Sequence, residues 1–547
     1  MDEYFFKSRI LNRASNISQL KSESFDLLII GGGITGAGIA LDAASRGLNV
    51  ALVEKNDFAF GTSSRSTKLI HGGLRYLKQL EFGLVKEVGS ERAVVHKLAP
   101  HLVVPEKMLL PLYETRGFGS LLTSIGLKLY DWLAGVKPED QRRMLTRNQT
   151  LKQEPLLKPE DVKGGAIYAE YRTDDARLTI ELIKTAAQYG ACVANYSEVE
   201  DFIYQDEKIT GAKVKDLISD FLFQIKAKVV VSATGPWVDE LRTINHSKKG
   251  KRLHLTKGVH LVIPRTKFPV KQAIYFDVED GRMIFAIPRG EITYVGTTDT
   301  DYQGSIDEVH TSKEDAEYLI RAVNRTFPEV NLGLEDIESS WAGLRPLIHE
   351  EGKSASELSR KDEIFESDTG LISIAGGKLT GYRKMAERVV DLVIEKYFDE
   401  VESPCQTENI PFIGSDFKND NQVKEYLVSV AEKLQKIGLS HRAAYLVHNY
   451  GRQTDLILSH LLKSLANNNE LELVKAELWF CLTHEMVVNP SDFFIRRTGL
   501  LYFNRPLLES VFNKVLEEFG VHFNWSSQKF QKEKSELEMS IKLVHNF

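Results

Sequence analysis

The sequence has few of the features that mark several large classes of protein. Its 547 residues include only three cysteines, Cys192, Cys405 and Cys481, which are far apart and odd in number. This pattern predicts reduced thiols in an intracellular protein rather than a disulfide framework. No set of cysteine and histidine residues has metal-ligand spacing, and His484-Glu485 lacks the second histidine of an H-E-x-x-H site. No metal is therefore expected.

The chain also lacks a surplus of positive charge and long apolar segments. Its net charge is −6, whereas nucleic-acid-binding proteins usually carry a basic excess, so no nucleic-acid partner is expected. Asp2 and Glu3 stand at the start, without the apolar core of a signal peptide. The apolar run 118–135 contains Lys128 and Asp131 and is too polar for a membrane span. We interpret it as a core helix, with an interfacial helix as the alternative.

What the sequence does contain begins with a strand–turn–helix pattern near the N-terminus. After a short apolar run, Gly31, Gly33 and Gly36 have G-x-G-x-x-G spacing. Such glycines permit a tight turn, the approach of a pyrophosphate to the backbone, and close packing of the helix on the strand. A second apolar strand ends in Glu54, placed to accept from a ribose 2′-hydroxyl and to repel a 2′-phosphate. The pattern predicts dinucleotide binding, disfavours NADP, and does not distinguish FAD from NAD.

Two later segments look like returns to the same nucleotide site. Residues 233–235 follow an apolar strand, and residues 375–377 open a helix far downstream of the glycine fingerprint. Between them, 258–302 contains short strands typical of an antiparallel sheet. An NAD domain usually completes its site within one half of a Rossmann fold. The split pattern therefore favours a flavoprotein; the alternative is that both segments are ordinary strand ends.

The motifs along the chain resemble those of the FAD-dependent glycerol-3-phosphate dehydrogenases of the bacterial respiratory type. The resemblance covers nearly the whole chain and is looser in the helical tail. The related glycerophosphate oxidases share most of the motifs but usually carry an extra insertion that is not found here. The matching segments are the fingerprint, 62–64, 68–77, 174–177, 233–238, 257–260, 296–299, 343–346, 359–360 and 376–383.

The resemblance implies an α/β fold with three parts. An FAD-binding Rossmann domain of the glutathione-reductase/amino-acid-oxidase type carries an inserted antiparallel-sheet substrate domain, and a C-terminal all-α cap follows. The implied boundaries are a polar leader over 1–24, a discontinuous FAD-binding domain over 25–400 with the insertion at roughly 246–365, and the helical domain over 401–547.

The implied reaction is the oxidation of sn-glycerol 3-phosphate to dihydroxyacetone phosphate, by hydride transfer from C2 to FAD, with electrons passed to a membrane quinone. Two alternatives stay open: an α-glycerophosphate oxidase that uses O₂, and a non-catalytic flavin-binding partner protein. The expected location is cytoplasmic, in peripheral contact with the inner face of the cell membrane. Whether the protein forms a homodimer is left open.

The resemblance also assigns roles to residues within the matched motifs. His260 is the expected general base, since histidine titrates near neutral pH, and Arg345 is expected to position the alcohol and stabilise developing negative charge. A phosphate dianion requires guanidinium and ammonium donors. The expected substrate-binding residues are Arg75, Tyr76, Arg345, Arg360 and Lys378. The expected cofactor-binding residues are Gly31, Gly33, Gly36, Glu54, Thr62, Ser63, Ser64, His71, Gly235, Gly376, Gly377, Leu379 and Thr380.

Overall fold

The computed structural model describes residues 11–71, 82–113, 142–349, 362–463 and 468–547. Arg75, Tyr76, Arg360 and the apolar run 118–135 lie outside these described residues. None of the described helices is long and apolar enough to cross a lipid bilayer.

The described strands, in chain order, are β1 (Ser24–Ile30), β2 (Val50–Val53), β3 (Leu69–Ile70), β4 (Val104–Tyr113), β5 (Arg143–Thr146), β6 (Val162–Arg172), β7 (Cys192–Ala194), β8 (Ser197–Gln205), β9 (Lys208–Asp216), β10 (Phe221–Ser232), β11 (Leu253–Pro264), β12 (Ala273–Asp277), β13 (Met283–Arg289), β14 (Ile292–Gly296), β15 (Thr300–Asp301), β16 (Ser339–Ile348), β17 (Asp362–Glu366) and β18 (Leu371–Gly376). The described α-helices are α1 (Arg13–Ser22), α2 (Ile34–Ser45), α3 (Phe82–Leu98), α4 (Arg147–Gln153), α5 (Asp175–Gln188), α6 (Val238–Ile244), α7 (Lys313–Thr326), α8 (Tyr382–Tyr397), α9 (Asp420–Gln435), α10 (Ala443–Tyr450), α11 (Thr454–Leu461), α12 (Asn469–His484), α13 (Leu500–Phe503), α14 (Arg505–His522) and α15 (Ser527–Leu543).

The first sheet forms the core of the Rossmann half. Within the described ranges it has eight strands in the order β17-β18-β10-β1-β2-β7, with β8 and β9 joined as a meander through β10. The strands β18, β10, β1, β2 and β7 run parallel to one another. Because the carboxyl ends of parallel strands meet at one edge, the ends of β1, β2, β10 and β18 lie together there. The helices α2, α5 and α8 pack into one core on this sheet.

Helix α2 starts within the glycine fingerprint and ends just before a glycine. Its N-cap is Gly33, its C-cap is Arg46, and Gly47 follows with a φ of 95°. A positive φ of this size favours glycine, which has no Cβ. A Cβ on Gly36 would lie only 2.0 Å from the carbonyl oxygen of Gly31. The helix can therefore approach the end of β1 this closely only with glycine at that position.

The second sheet contains the predicted antiparallel strands. Its ten strands in the described ranges follow the order β15-β11-β14-β13-β12-β4-β6-β3, with β16 paired to β11 and β5 to β6. The predicted insertion, 246–365, supplies β11 to β16. The sheet also takes β3 to β6 from 69–172, a stretch before the insertion. Proline within β4 and two adjacent glycines within β6 weaken the strand pattern of this stretch in the sequence.

Residues of the second sheet alternate between two cores. On one face, Val259, Leu261 and Ile263 share a core with helix α7. On the other face, Val262 and Tyr294 share a core with the C-terminal helices. This alternation follows from the two-residue repeat of a strand. The predicted all-α C-terminal domain therefore exists and packs on the substrate-domain sheet, which confirms the predicted architecture.

Candidate active site

A large cavity opens at the carboxyl ends of β1, β2, β10 and β18, and both sheets line it. Its two sides differ in composition. We call residues 31, 33–35, 54, 61–63, 233–237, 376, 377, 379 and 380 the glycine wall. We call Thr67, His260, Arg345 and residues 297–299 the arginine wall.

The glycine wall brings the remote segments of the sequence to the fingerprint. Gly31 has a φ of +112°, and a Cβ there would lie 2.6 Å from the carbonyl oxygen of Ala233 at the end of β10. The strand β18 pairs with β10 on its other side, which places Gly376 and Gly377 in the same lining. The predicted return of both segments to the fingerprint is therefore observed.

Glu54 lies at the end of β2 and lines the cavity. One carboxylate oxygen accepts from the backbone N–H of Gly32 at 2.7 Å, and the other accepts from that of Asn56 at 2.8 Å. Burial raises the pKa of Glu54, although these two hydrogen bonds oppose the shift. Since a carboxylate has about four lone-pair positions, it retains acceptor capacity toward a ribose hydroxyl.

The chemistry of the glycine wall suits a dinucleotide. The N-terminus of α2 faces the cavity, beside the hydroxyl groups of Thr62 and Ser63. The Ser63 hydroxyl accepts from the N–H of Ile34 at 2.9 Å, so this loop lies directly against the helix N-terminus. Helix N–H groups for phosphate oxygens and a carboxylate for a ribose are the donor and acceptor set of a dinucleotide site. The residues present therefore fit such a cofactor.

Most of the predicted cofactor-binding residues line this cavity, but two do not. Gly36 lies under the fingerprint turn, as its close approach to Gly31 requires. Ser64 is buried, and its carbonyl oxygen accepts from the Lys68 ammonium at 3.2 Å. His71 lines the cavity, and its carbonyl accepts from the Thr380 hydroxyl. The predicted residues in the lining are Gly31, Gly33, Glu54, Thr62, Ser63, His71, Gly235, Gly376, Gly377, Leu379 and Thr380.

Arg345 is held rigidly in the arginine wall. Its Nη1 donates to the carbonyl oxygen of Thr298 and to Asp299 Oδ1, both at 3.1 Å, and its Nη2 donates to Thr297 Oγ1 at 2.9 Å. The side chain keeps 21% exposure and lines the cavity. A Cβ on the neighbouring Gly258 would lie 2.5 Å from Nη2. The predicted Arg345 is thus a fixed cation that faces the cavity, as is required of an anion-binding group.

His260 is also in the arginine wall but is only 1% exposed. Its Nε2 lies 2.9 Å from Thr67 Oγ1, and its ring stacks on Trp341 at 4.7 Å. Its Nδ1 has no hydrogen-bond partner among the described residues. Burial lowers the pKa of His260 well below its usual value, and the charges of Arg345 and Lys68 lower it further. The imidazole is therefore neutral at neutral pH.

A buried ion pair braces the loop that carries Thr67. The Lys68 ammonium lies 2.5 Å from Asp175 Oδ1, and the N–H of Ser66 donates to Asp175 Oδ2 at 2.9 Å. The carbonyl of Ser66 in turn accepts from the Trp341 indole. Asp174 caps α5 and pairs with Arg289 at 3.0 Å. The predicted motif 174–177 thus fixes the loop beside His260.

The sequence motifs contain some of these residues but do not show what their side chains do. Segments 296–299 and 174–177 belong to the matched motifs. The hydrogen bonds that hold Arg345 and the ion pair between Lys68 and Asp175, however, can be recognised only from interatomic distances. Thr67 gave no separate signal within a run of small hydroxyl residues. Lys378, which was predicted, lines the cavity beside the glycine wall. No group of three or more metal-ligating side chains is found in the part of the chain that the structure describes.

Comparison with known proteins assigns the class of protein. A family model described as "FAD dependent oxidoreductase" matches residues 26–383, and the Rossmann fold and the glycine wall agree with it. The protein is therefore an FAD-dependent oxidoreductase, and FAD is its cofactor. A second model, the "C-terminal domain of alpha-glycerophosphate oxidase", matches residues 405–530.

Individual relatives narrow the assignment. An aerobic glycerol-3-phosphate dehydrogenase from Bacillus subtilis (strain 168) is 49% identical over 543 residues, covering 98% of this chain and 97% of the relative. One from Staphylococcus aureus (strain USA300) is 48% identical over 530 residues, covering 96% and 95%. A solved glycerol-3-phosphate dehydrogenase from Bacillus halodurans, complexed with FAD, has 43% identity and a TM-score of 0.84, and 98% of each chain is covered. The chain belongs to the aerobic glycerol-3-phosphate dehydrogenase family.

A more distant structure shows the fold alone. The L-alpha-glycerophosphate oxidase from Mycoplasma pneumoniae, with FAD bound, is 20% identical with a TM-score of 0.54. The match covers 68% of this chain and 95% of that one.

Proposed function

We propose that this protein oxidises sn-glycerol 3-phosphate to dihydroxyacetone phosphate and passes the electrons from FAD to a membrane quinone. The observation that carries the proposal is the fixed guanidinium of Arg345 in the same cavity as the glycine wall and Lys378. The names of the relatives at 48–49% identity support the choice of substrate. Bound FAD supplies the capacity to accept the two electrons of the oxidation.

Arg345 and Lys378 are the proposed anion-binding residues for the phosphate and the C2 oxygen. Because Arg345 is held by residues 297–299, it needs no reorganisation when negative charge develops on that oxygen. Arg75, Tyr76 and Arg360 are proposed to complete the phosphate site, and they stand outside the described residues.

His260 is proposed as the base that takes the proton of the C2 hydroxyl group. Its lowered pKa keeps the imidazole unprotonated at neutral pH. Because it is almost wholly buried and its Nε2 faces Thr67, the proton would reach it through the Thr67 hydroxyl. In that step Thr67 Oγ receives the substrate proton while its own proton moves to Nε2.

The electron acceptor and the location of the protein are further parts of the proposal. A membrane quinone requires contact with the bilayer surface, which we place on the cytoplasmic, inner face of the cell membrane. A homodimer is part of the same proposal. The second candidate is an oxidase that uses O₂, which the match of 405–530 to an α-glycerophosphate oxidase domain favours.

The test is anaerobic mixing of the FAD-loaded protein with glycerol 3-phosphate. The flavin absorbance near ~450 nm is expected to bleach. Arg345→Ala and Lys378→Ala are each expected to slow bleaching about 10²- to 10³-fold with FAD still bound. Arg505→Ala is the matched control, because Arg505 lies outside the cavity lining and contacts Glu509 and the Glu338 carbonyl, and it should bleach at the normal rate.

The outcomes separate the hypotheses. No bleaching of the wild-type protein would exclude the proposed substrate and favour the non-catalytic alternative. Normal bleaching in both variants would refute the proposed anion site. After bleaching, rapid peroxide formation in air identifies an oxidase, whereas slow reoxidation that a quinone analogue accelerates identifies the dehydrogenase.

A further inference from the structure

A second cavity lies between the loop that follows β2 and the C-terminal helical domain. Its volume is about 290 Å³, near the lower end of the range for small-ligand pockets, about 300–1,000 Å³. The described lining contains two guanidinium groups, several hydroxyl groups and no carboxylate. The polar lining residues are chiefly Asn56, Arg65, Ser491, Arg496, Tyr502 and Ser540.

One of the two arginines already has counterions. Arg496 donates to Asp57 Oδ2 and to Asp492 Oδ1, both at 2.6 Å. It belongs to a buried network that joins the FAD-binding half to the C-terminal domain, and in this network positive and negative groups are equal in number. The cations are Arg177, Lys184, Arg496 and Arg497, and the anions are Asp57, Glu181, Glu485 and Asp492.

Arg65 lies near this network but has no counterion within it. No described residue gives its guanidinium a hydrogen bond or a carboxylate within ion-pair distance. Its guanidinium lies over the Phe60 ring, with Cζ 5.1 Å from the ring centroid, and the guanidinium of Arg496 lies 5.6 Å from the same ring. Burial lowers the pKa of Arg65, and the charge of Arg496 adds to this effect. Arg65 is only partly exposed, and a charge removed from water is normally paired, because an unpaired one is costly.

The guanidinium of Arg65 belongs to the second cavity rather than to the FAD cavity. Arg65 lines both. Its guanidinium, however, lies over Phe60, and Tyr502 and Arg496 act on its pKa. These three residues line the second cavity and not the first, whereas His310, whose pKa the charge of Arg65 lowers, lines neither. The missing anion is therefore expected on the side of the C-terminal domain.

We propose that this cavity binds a phosphate group, as inorganic phosphate or as a small phosphate monoester, with Arg65 as its main ligand. A guanidinium presents paired donors that match phosphate oxygens. The hydroxyl groups of Ser491 and Tyr502 supply further donors, and neither has a hydrogen-bond partner among the described residues. Since Arg65 follows residues 61–63 of the glycine wall, the bound anion ties the C-terminal domain to the FAD-binding loop.

The test is amide hydrogen exchange of the FAD-loaded protein, with inorganic phosphate or methyl phosphate titrated at constant ionic strength against chloride. Phosphate is expected to slow exchange in peptides covering 491–503 and 536–545. Arg65→Gln should weaken this protection about tenfold or more, since a charge-assisted pair is lost. Lys378→Met and Arg505→Gln are the controls and should keep this protection. Lys378→Met alters only the proposed substrate site, and Arg505 lines neither cavity, contacting Glu509 and the Glu338 carbonyl instead.

Each result decides the proposal. Protection by phosphate that is lost in Arg65→Gln supports it, and the probe with the higher affinity distinguishes the free anion from a monoester. Absence of protection in the wild type, equal protection by chloride, or equal affinity in Arg65→Gln overturns it. If Arg65→Gln does not retain FAD, Arg65→Lys is used in its place. This variant is expected to bind phosphate several-fold more weakly than the wild type. An unchanged affinity for phosphate overturns the proposal. Activity is not measured, so the proposed function is tested separately.

Discussion

The glycine wall and the arginine wall face the same cavity but are built in different ways. In the glycine wall, the groups proposed to meet the cofactor are mainly backbone N–H groups and positions without a Cβ, in strand–turn–helix units. In the arginine wall, the groups that face the cavity are side chains that hold one another in place. Residues 297–299 hold Arg345, and Thr67 contacts His260. A change in the first wall should therefore remove the cofactor. A change in the second should slow the reaction while FAD stays bound.

The largest expected effect is the loss of FAD from Gly36→Ala. The added Cβ would lie 2.0 Å from the Gly31 carbonyl oxygen and 3.4 Å from Ile29, so α2 must move away from β1 and its N-terminus from the pyrophosphate position. Flavin absorbance per protein after gel filtration measures the effect, and we expect almost none. Gly83→Ala is the control, since its Cβ meets no atom of the described residues within 4 Å. Gly36 lies under the glycine wall and acts on it through Gly31, so a yellow Gly36→Ala protein with full FAD content would contradict the proposed role of this wall.

Gly258→Ala tests whether a glycine next to the arginine wall acts differently. Its Cβ would lie 2.5 Å from Arg345 Nη2 and 2.6 Å from Thr297 Oγ1, which displaces the guanidinium. Because a shift of about 1 Å in a positioning group can cost ~10²-fold, we expect flavin reduction about 10²-fold slower with normal FAD content. Stopped-flow reduction by glycerol 3-phosphate measures it. A variant that loses FAD instead would erase the distinction between the walls.

Thr67→Val should have a smaller effect than either glycine substitution. It keeps the shape of the side chain but removes the hydroxyl that lies 2.9 Å from His260 Nε2. Loss of an assisted proton transfer is expected to slow reduction about 10- to 10²-fold, and Thr67→Ser should restore most of the rate. The same reduction assay applies to both variants. Equal rates in wild type and Thr67→Val would mean that the proton does not pass through this hydroxyl.

The difference between the walls also explains what could be predicted from sequence. The fingerprint, Glu54 and the return at 376–377 are local patterns of strand, turn and helix, so their place in the fold follows from spacing. The strands β4 and β6 were missed because proline and glycine obscure their pattern. The hydrogen bonds to Arg345 and the ion pair between Lys68 and Asp175 join residues that are distant in sequence. Whether such residues contact one another can be judged only from the distances between their atoms. Arg65 was not selected, because its lack of a counterion is visible only in three dimensions.

Asp174→Asn tests the brace behind the arginine wall and should have the smallest effect. Burial alone would raise the pKa of Asp174, but Lys68 and Arg289 outweigh it and lower the pKa to about 2. A lowered pKa in the folded state stabilises the protein above the unfolded value near 4, and this contribution is lost as pH falls through the folded value. Asparagine keeps the cap of α5 but not the charge.

We therefore expect Asp174→Asn to lower the free energy of unfolding by about 2 kcal/mol at pH 6, with the difference from wild type shrinking between pH ~4 and ~2. Denaturant midpoints across this range measure it, and Asp201→Asn, at an exposed pair with Lys213, should differ little from wild type. A constant difference between the Asp174→Asn and wild-type proteins at all pH values would show that the charge of Asp174 does not stabilise the brace.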